Sequence, residues 1–224
     1  MYDIFDQLGI DRPAGVDAFE PRVVTGTVRA NNPDAAMIDF VGEDGRKATG
    51  VLPVTEALRA RGWEVGSVHT LLQCDAGPRP LLSAVRPGLV EAVLGGICPE
   101  VRDGRVRVMG VARRPGARTK IAVAPTTEGV DAVAACVGRR ANRVEAIKAA
   151  LGGEQVDIVA WHDDPRVYLA NAMQPARIEK VAIDPESRSA MVHAPAHQMA
   201  AAVGGGGLNS LLAGRLIGVT VRVV

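Results

Sequence analysis

The sequence predicts an α+β protein: a small closed β-barrel followed by two copies of one αββααβ unit. Three observations predict it. Four consecutive glycines (Gly204, Gly205, Gly206 and Gly207) lie between two helical stretches, 194–203 and 208–218, and a strand-like tail, 219–224, follows. The same plan occurs about 65 residues earlier, with helix 130–137, the loop Gly138-Arg139-Arg140-Ala141, helix 142–151, a Gly152-Gly153 stop and an apolar strand 156–161; such a spacing marks an internal repeat. Upstream, five short apolar stretches separated by turn signals within about 70 residues are the pattern of a small barrel of the OB type.

The elements follow in order. The lead, residues 1–20, carries Ile4, Phe5 and Leu8 at the spacing of one helical turn and is punctuated by Pro13, Gly15 and Pro21. The barrel, 21–86, is expected from strands at 23–28, 36–41, 47–52, 66–74 and 80–85, with a short helix over 54–61. Asn31-Asn32-Pro33-Asp34 turns the first strand pair and Glu43-Asp44-Gly45 the second. A linking segment, 87–98, leads to the first repeat, 99–163, and then the second, 164–224. In the first repeat Val144, Ile147, Lys148 and Leu151 fall at helical spacing. In the second, 167–173 reads as a helix, and 176–183 with 190–194 as a strand pair joined by Asp184-Pro185-Glu186-Ser187. Aromatic residues make up only 3% of the chain, so the cores must be built from Val, Ala, Leu and Ile.

Composition excludes several classes of function. A chain with 47% hydrophobic residues, 23% charged residues and a net charge of +1 is that of a soluble globular protein. No apolar run reaches the roughly 18–20 residues that span a bilayer, and the acidic N-terminus has no secretory pattern. Three widely spaced cysteines, Cys74, Cys98 and Cys136, fit a reducing compartment better than a disulfide framework, so a cytoplasmic location is expected. No metal is expected: there is no C-x-x-C pair, and Pro195 separates His193 from His197. His162-Asp163-Asp164 beside Pro165 reads as a helix cap and turn rather than an acid–base site. No serine sits in a nucleophile elbow, and the tetraglycine has the spacing of neither a dinucleotide loop nor a phosphate loop. Neither cofactor nor enzymatic activity is expected.

Charge is uneven. Residues 1–99 are net acidic and the remainder net basic, and Arg102, Arg105, Arg107, Arg113, Arg114, Arg118 and Lys120 cluster with Asp103 as the one intervening acid. A phosphate-binding face leaves this footprint; a solvated edge strand would leave it too. Trp161 reads as packing at a core or interface, and Phe19 and Phe40 are the aromatic candidates for base stacking on the barrel.

Helix, glycine-bearing loop, helix and strand is the arrangement of a KH module, type II in this strand order, whose loop clamps the backbone of a single-stranded nucleic acid. Glycine suits such a loop because a side chain would hold phosphates away from the main-chain N–H groups. The candidate RNA contacts are therefore Gly138, Arg139, Arg140 and Arg143 at the first loop, the four glycines at the second, and Arg113, Arg118 and Lys120 on the strands that precede the first loop.

The stretch from Gly110 to Val123, with its Val-Ala-Arg-x-Pro-Gly-x-Arg-x-Lys-Ile-Ala-Val run, resembles the first KH domain of the NusA family of bacterial transcription elongation factors, as do residues 99–104, 130–138 and 156–161. Residues 171–176 are similar to the opening of that family's second KH domain, and 50–56 with 85–89 to the ends of its S1-type barrel. The resemblance covers about residues 20–224. It implies one extended surface for single-stranded RNA, RNA polymerase or other transcription factors as further partners, a monomer, and a role in transcription elongation, termination or antitermination. There are departures. Twenty residues before the barrel are fewer than the family's polymerase-binding domain requires. Ala141 replaces the second glycine of the first loop, Gly205 occupies the usual basic position of the second, and Leu208 and Leu211 stand where the family has glutamine and arginine. Asn209 is retained, which by this resemblance makes it a further candidate RNA contact, and Arg215 keeps one positive charge further on. The second loop is expected to bind more weakly than the first. The alternative reading is a protein-interaction adaptor, its loops degenerate, docking on polymerase, Nus-type factors or the ribosome.

Overall fold

The structure is a computed structural model that describes residues 20–58 and 62–224. Residues 1–19 of the predicted lead, including Phe19, and the last part of the helix expected over 54–61 lie outside the described residues; residues 54–57 form turns rather than helix.

Five strands build the barrel: β1 Arg22–Asn31, β2 Ala35–Val41, β3 Lys47–Pro53, β4 Val68–Gln73 and β5 Leu82–Ser83. They pair in the order β3-β2-β1-β4-β5, and a parallel bridge from Val51 to Leu81 brings β3 against β5 and closes the sheet on itself. The period-two pattern of β1 turns Val24, Gly26 and Val28 inward, where they meet Ile38, Leu52, Leu71 and Leu82. Phe40 shares the inward face of β2 with Ile38 and is only 5% exposed, so it fills the barrel instead of offering a stacking platform. Gly26 lies directly opposite Phe40, and a β-carbon there would run into the Ile38 side chain.

Residues 87–98, read from sequence as a link, instead form helix α1, Pro87–Ile97. Its buried Leu89, Val90, Val93 and Leu94 belong to the core of the first repeat. Pro87 and the Gly95-Gly96 pair are residue types poorly suited to a helix interior. Proline at the first helical position, however, loses no intrahelical bond, and both glycines fall in the last turn, where fraying costs little. The repeat continues with the short α2 Pro99–Arg102, β6 Val106–Arg114, β7 Arg118–Pro125, α3 Ala132–Val137, α4 Asn142–Ala150 and β8 Gln155–Ala160. The second repeat has α5 Pro165–Ala172, β9 Lys180–Asp184, β10 Ser189–His193, α6 Met199–Val203, α7 Leu208–Ile217 and β11 Thr220–Val223. Asp131 caps α3 through the Ala134 N–H and Asp164 caps α5 through the Arg166 N–H, both at 2.9 Å. The sheets run β6-β7-β8 and β9-β10-β11, each with an antiparallel pair followed by a parallel one.

The repeats are packed together. Ala122 and Val159 on the first sheet share one core with Tyr168, Leu169 and Ala213 from α5 and α7. Trp161, 6.5 Å from Tyr168 between ring centres, packs against this interface core. Lys120, fully buried, donates to Asp157 Oδ2 at 2.8 Å and to the Gln174 carbonyl of the second repeat at 2.9 Å. Glu56 of the barrel accepts from Arg86 at 3.0–3.2 Å, and the Arg86 carbonyl accepts from Arg113 at 3.1 Å, which joins the barrel to the first repeat. Among the described residues no helix is long and apolar enough to cross a membrane.

The Asp157 carboxyl makes this packing acid-sensitive. Burial would raise its pKa, but the Arg118 hydrogen bonds and the Lys120 charge outweigh that and hold it below the ordinary 3.8. Its stabilisation is therefore present above that value and is lost as pH falls through the lowered one. Urea midpoints measured between pH 5 and pH 2.5 are expected to fall with pH, with a shallower slope in Asp157→Asn.

Candidate nucleic-acid interface

The two glycine loops follow one backbone path. Gly138 has φ 75° and ψ 170°, and Gly204 has 75° and 164°. Two successive left-handed residues follow in each: Arg140 (51°, 34°) and Ala141 (61°, 19°) in the first, Gly206 (61°, 25°) and Gly207 (75°, 11°) in the second. The N–H groups of Ala141 and Asn142 return to the carbonyls of Gly138 and Arg139, and those of Gly207 and Leu208 to Gly204 and Gly205. Residues 139, 140, 205 and 206 thus precede any acceptor within their own turn and can present N–H groups outward. Main-chain turns of this kind, at the head of a helix, form concavities that suit anions.

Glycine is required where each loop begins. A β-carbon on Gly204 would lie 2.7 Å from both the backbone nitrogen and the β-carbon of Asn209; one on Gly138 would strike the side chains of Asn142 and Arg143. Gly204→Ala combines that overlap with a positive φ and is expected to cost about 2–3 kcal/mol, read as a lower urea midpoint. Ala141, by contrast, holds a left-handed conformation that a methyl group disfavours by roughly 1–2 kcal/mol, against about 0.4–1 kcal/mol of extra unfolded-chain entropy for glycine. Ala141→Gly is expected to stabilise by about 0.5 kcal/mol, a rise of one or two degrees in the thermal midpoint.

Each loop is braced from behind by the equivalent residue of the following helix. Arg143 Nη1 donates to the Ala135 carbonyl at 2.6 Å and to Glu100 Oε2 at 2.7 Å. Asn209, fully buried, donates from Nδ2 to the Ala201 and Ala202 carbonyls at 3.2 Å and to Met173 at 2.8 Å. Ala135 and Ala201 hold the same place in the two repeats, so an arginine and an asparagine cap the same helix end. Asn209 Oδ1 is buried and accepts nothing among the described residues. Arg143 and Asn209, both candidates for RNA contact, hold their loops in shape through these bonds.

The basic cluster separates in the same way. Arg113 is 2% exposed at its side chain and forms a two-pronged pair, 2.9 Å on each arm, with the fully buried Glu154, which also accepts from the Gly116 N–H and the Thr119 hydroxyl. Lys120 is buried as described, and Arg118 is paired with Asp157 at 2.7 and 2.9 Å. Arg113 and Lys120 are therefore removed from the candidate surface: their side chains alternate into a packed sheet where only an acid partner makes burial of a cation tolerable. Of the remainder, Arg102 and Arg105 share Asp103, and Arg107 and Arg114 are exposed. Sequence reasoning missed the acids Glu154, Asp157 and Glu100. One of them had a visible signal: Asp157 interrupts an otherwise apolar strand, which calls for a cation beside it.

What stays at the loops differs between the repeats. Arg139 and Arg140 are exposed and make no ion pair among the described residues. Gly205 and Gly206 are exposed without side chains, Leu211 is 43% exposed, and Met199, Ala200 and Val203 line an open apolar hollow beside Gly204 and Gly205. Arg215 is the nearest cation along α7 and is exposed. The first loop is basic and the second neutral. Among the described residues no group of three or more His, Cys, Asp or Glu could hold a metal ion.

A closed five-stranded barrel joined to two packed αββααβ units, each with a positive-φ glycine loop between its last two helices, defines a tandem KH protein of the OB–KH–KH type. Residues 85–161 match the NusA-like first KH domain and residues 165–224 the NusA-like second KH domain, together more than half of the sequence, and the chain belongs to the NusA-like family. It is 38% identical over 209 residues to the transcription termination/antitermination protein NusA of Thermus thermophilus, covering 91% of this chain and 53% of that protein. To the proteins of the same name from Mycobacterium tuberculosis and Bacillus subtilis it is 33% identical over 208 residues and 39% over 177, covering 89% and 77% of this chain and 60% and 48% of theirs. The chain thus spans about half the length of the curated relatives it matches.

Proposed function

We propose that this protein binds single-stranded RNA through its two glycine loops and acts, without enzymatic activity, on transcription elongation, termination or antitermination in the cytoplasm, as a monomer. The observation that carries the reading is the pair of loops with matching backbone angles, the first flanked by two exposed arginines that no acid among the described residues neutralises. Phosphates of the strand lie against the N–H groups of residues 139–140 and 205–206, the head of each following helix adds a favourable dipole, and bases are read in the groove beside each loop. The first loop dominates because it supplies charge. RNA polymerase or another transcription factor is the further partner; the relatives are named transcription termination/antitermination proteins. Unpaired arginines at the first loop favour RNA over the adaptor reading, which needs neither charge nor exposed N–H groups there. Fluorescence anisotropy with an unstructured RNA oligonucleotide tests it: log affinity falls with log salt by about 0.7 for each phosphate neutralised. Binding that is absent, or indifferent to salt, overturns the reading.

A further inference from the structure

Cys98 and Cys136 take no part in the interface described above. Cys98 lies at the junction of α1 and α2, and Cys136 lies in the last turn of α3, two residues ahead of Gly138. Both are free and fully buried, and their sulfurs are 3.9 Å apart. The Cys98 thiol donates to Glu100 Oε2 at 3.3 Å, and Arg143 Nη1 lies 3.8 Å from the same sulfur. Arg143 is the side chain that braces the first loop through Ala135, the neighbour of Cys136 in sequence. A cation so close to the Cys98 sulfur argues against a metal at the pair.

We propose that Cys98 and Cys136 are a redox pair whose oxidation to an intramolecular disulfide reshapes the first glycine loop. Bond formation requires the sulfurs to approach by roughly 2 Å. The last turn of α3 is the side that yields: that helix has six residues and ends in a glycine, whereas Cys98 is held between two helices. Drawing Cys136 toward Cys98 displaces the Ala135 carbonyl from Arg143 and shifts residues 138–141 with it. The oxidant is a small disulfide of the glutathione class. Cys98 attacks one of its sulfurs and releases one glutathione thiol; Cys136 then displaces the second, so the protein loses two electrons and both protons leave on the two released thiols. Burial holds the Cys136 thiol up at about 12, so exchange at this sulfur depends on transient opening of the α3 end.

The consequence for RNA rests on the function proposed above, but the loop change does not, and the test separates them. The full chain is incubated with oxidised glutathione, its free thiols are counted after denaturation, and the linked peptides are mapped. Free thiols are expected to fall from three to one, with Cys74 remaining free, and to return on reduction. Amide NMR signals of residues 135–143 shift in the oxidised protein while those of 201–209 do not, and single-stranded RNA affinity falls at least threefold. Cys136→Ala and Cys98→Ala each abolish the loop response to oxidant. Three persisting thiols, a disulfide that links two chains, or a Cys98–Cys136 bond that leaves the loop signals in place overturns the proposal. Loop signals that shift in a protein with no RNA affinity in either state uphold it and overturn the RNA reading instead.

Discussion

Replacing Glu154 with alanine is expected to destabilise the protein by about 3–5 kcal/mol, the range for leaving a buried charge without its partner. Glu154 receives both arms of Arg113, the Gly116 N–H and the Thr119 hydroxyl, and neither carboxylate nor guanidinium reaches solvent. Without the carboxylate, Arg113 keeps the Arg86 carbonyl as its one acceptor among the described residues. The loss is comparable to much of the 5–15 kcal/mol that holds a typical domain folded, and urea denaturation followed by circular dichroism reads it directly. The pair is not an efficient source of stability: replacing both residues with apolar side chains of similar volume should recover most of the loss. A Glu154→Ala shift below about 1 kcal/mol would mean that water reaches Arg113 and that the packing around it is looser than described.

Removing the two arginines of the first loop is expected to weaken single-stranded RNA binding about tenfold and to lower the salt slope by about 1.4. Each exposed charge contact contributes roughly 0.7 kcal/mol, the sum of two is near the 1.4 kcal/mol of a factor of ten, and each neutralised phosphate carries a slope of about 0.7. Arg139→Ala/Arg140→Ala should leave the thermal midpoint unchanged, because neither side chain makes an ion pair among the described residues. The reverse change belongs in the second loop. Gly205 corresponds to Arg139; it has no positive φ, and a β-carbon on it would meet nothing within 4 Å. Gly205→Arg is therefore expected to fold normally, to raise affinity about threefold and to steepen the slope by about 0.7. Unchanged affinity in both variants would place the RNA elsewhere on the molecule.

The loops and the repeat were legible because backbone demands are written in residue type. Only glycine takes the angles of 138 and 204 without overlap, and it marked both turns. The barrel strands could be read from period-two alternation and from Asn-Pro and Asp-Gly turns. Helix α1 was illegible because Pro87 and three glycines outweighed an apolar face that only packing could reveal. Charge misled most. Arg113, Lys120 and Arg143 look in sequence like a phosphate-binding array, yet their acid partners lie 41, 37 and 43 residues away, and no local pattern joins residues so distant. Asn209 matches a family position, but the helix end that its amide caps is invisible in the sequence.

The central claim is that main-chain N–H groups of the two glycine loops hold the sugar–phosphate backbone of an unpaired strand. An NMR titration of the full chain with a short unstructured RNA tests it most directly. The account predicts the largest amide shifts at residues 138–143, smaller ones at 204–209, and little change on the outer barrel face around Thr25, Thr27 and Asp39. Shifts concentrated on the barrel, or on Arg102, Arg105 and Arg107 with both loops silent, would contradict it.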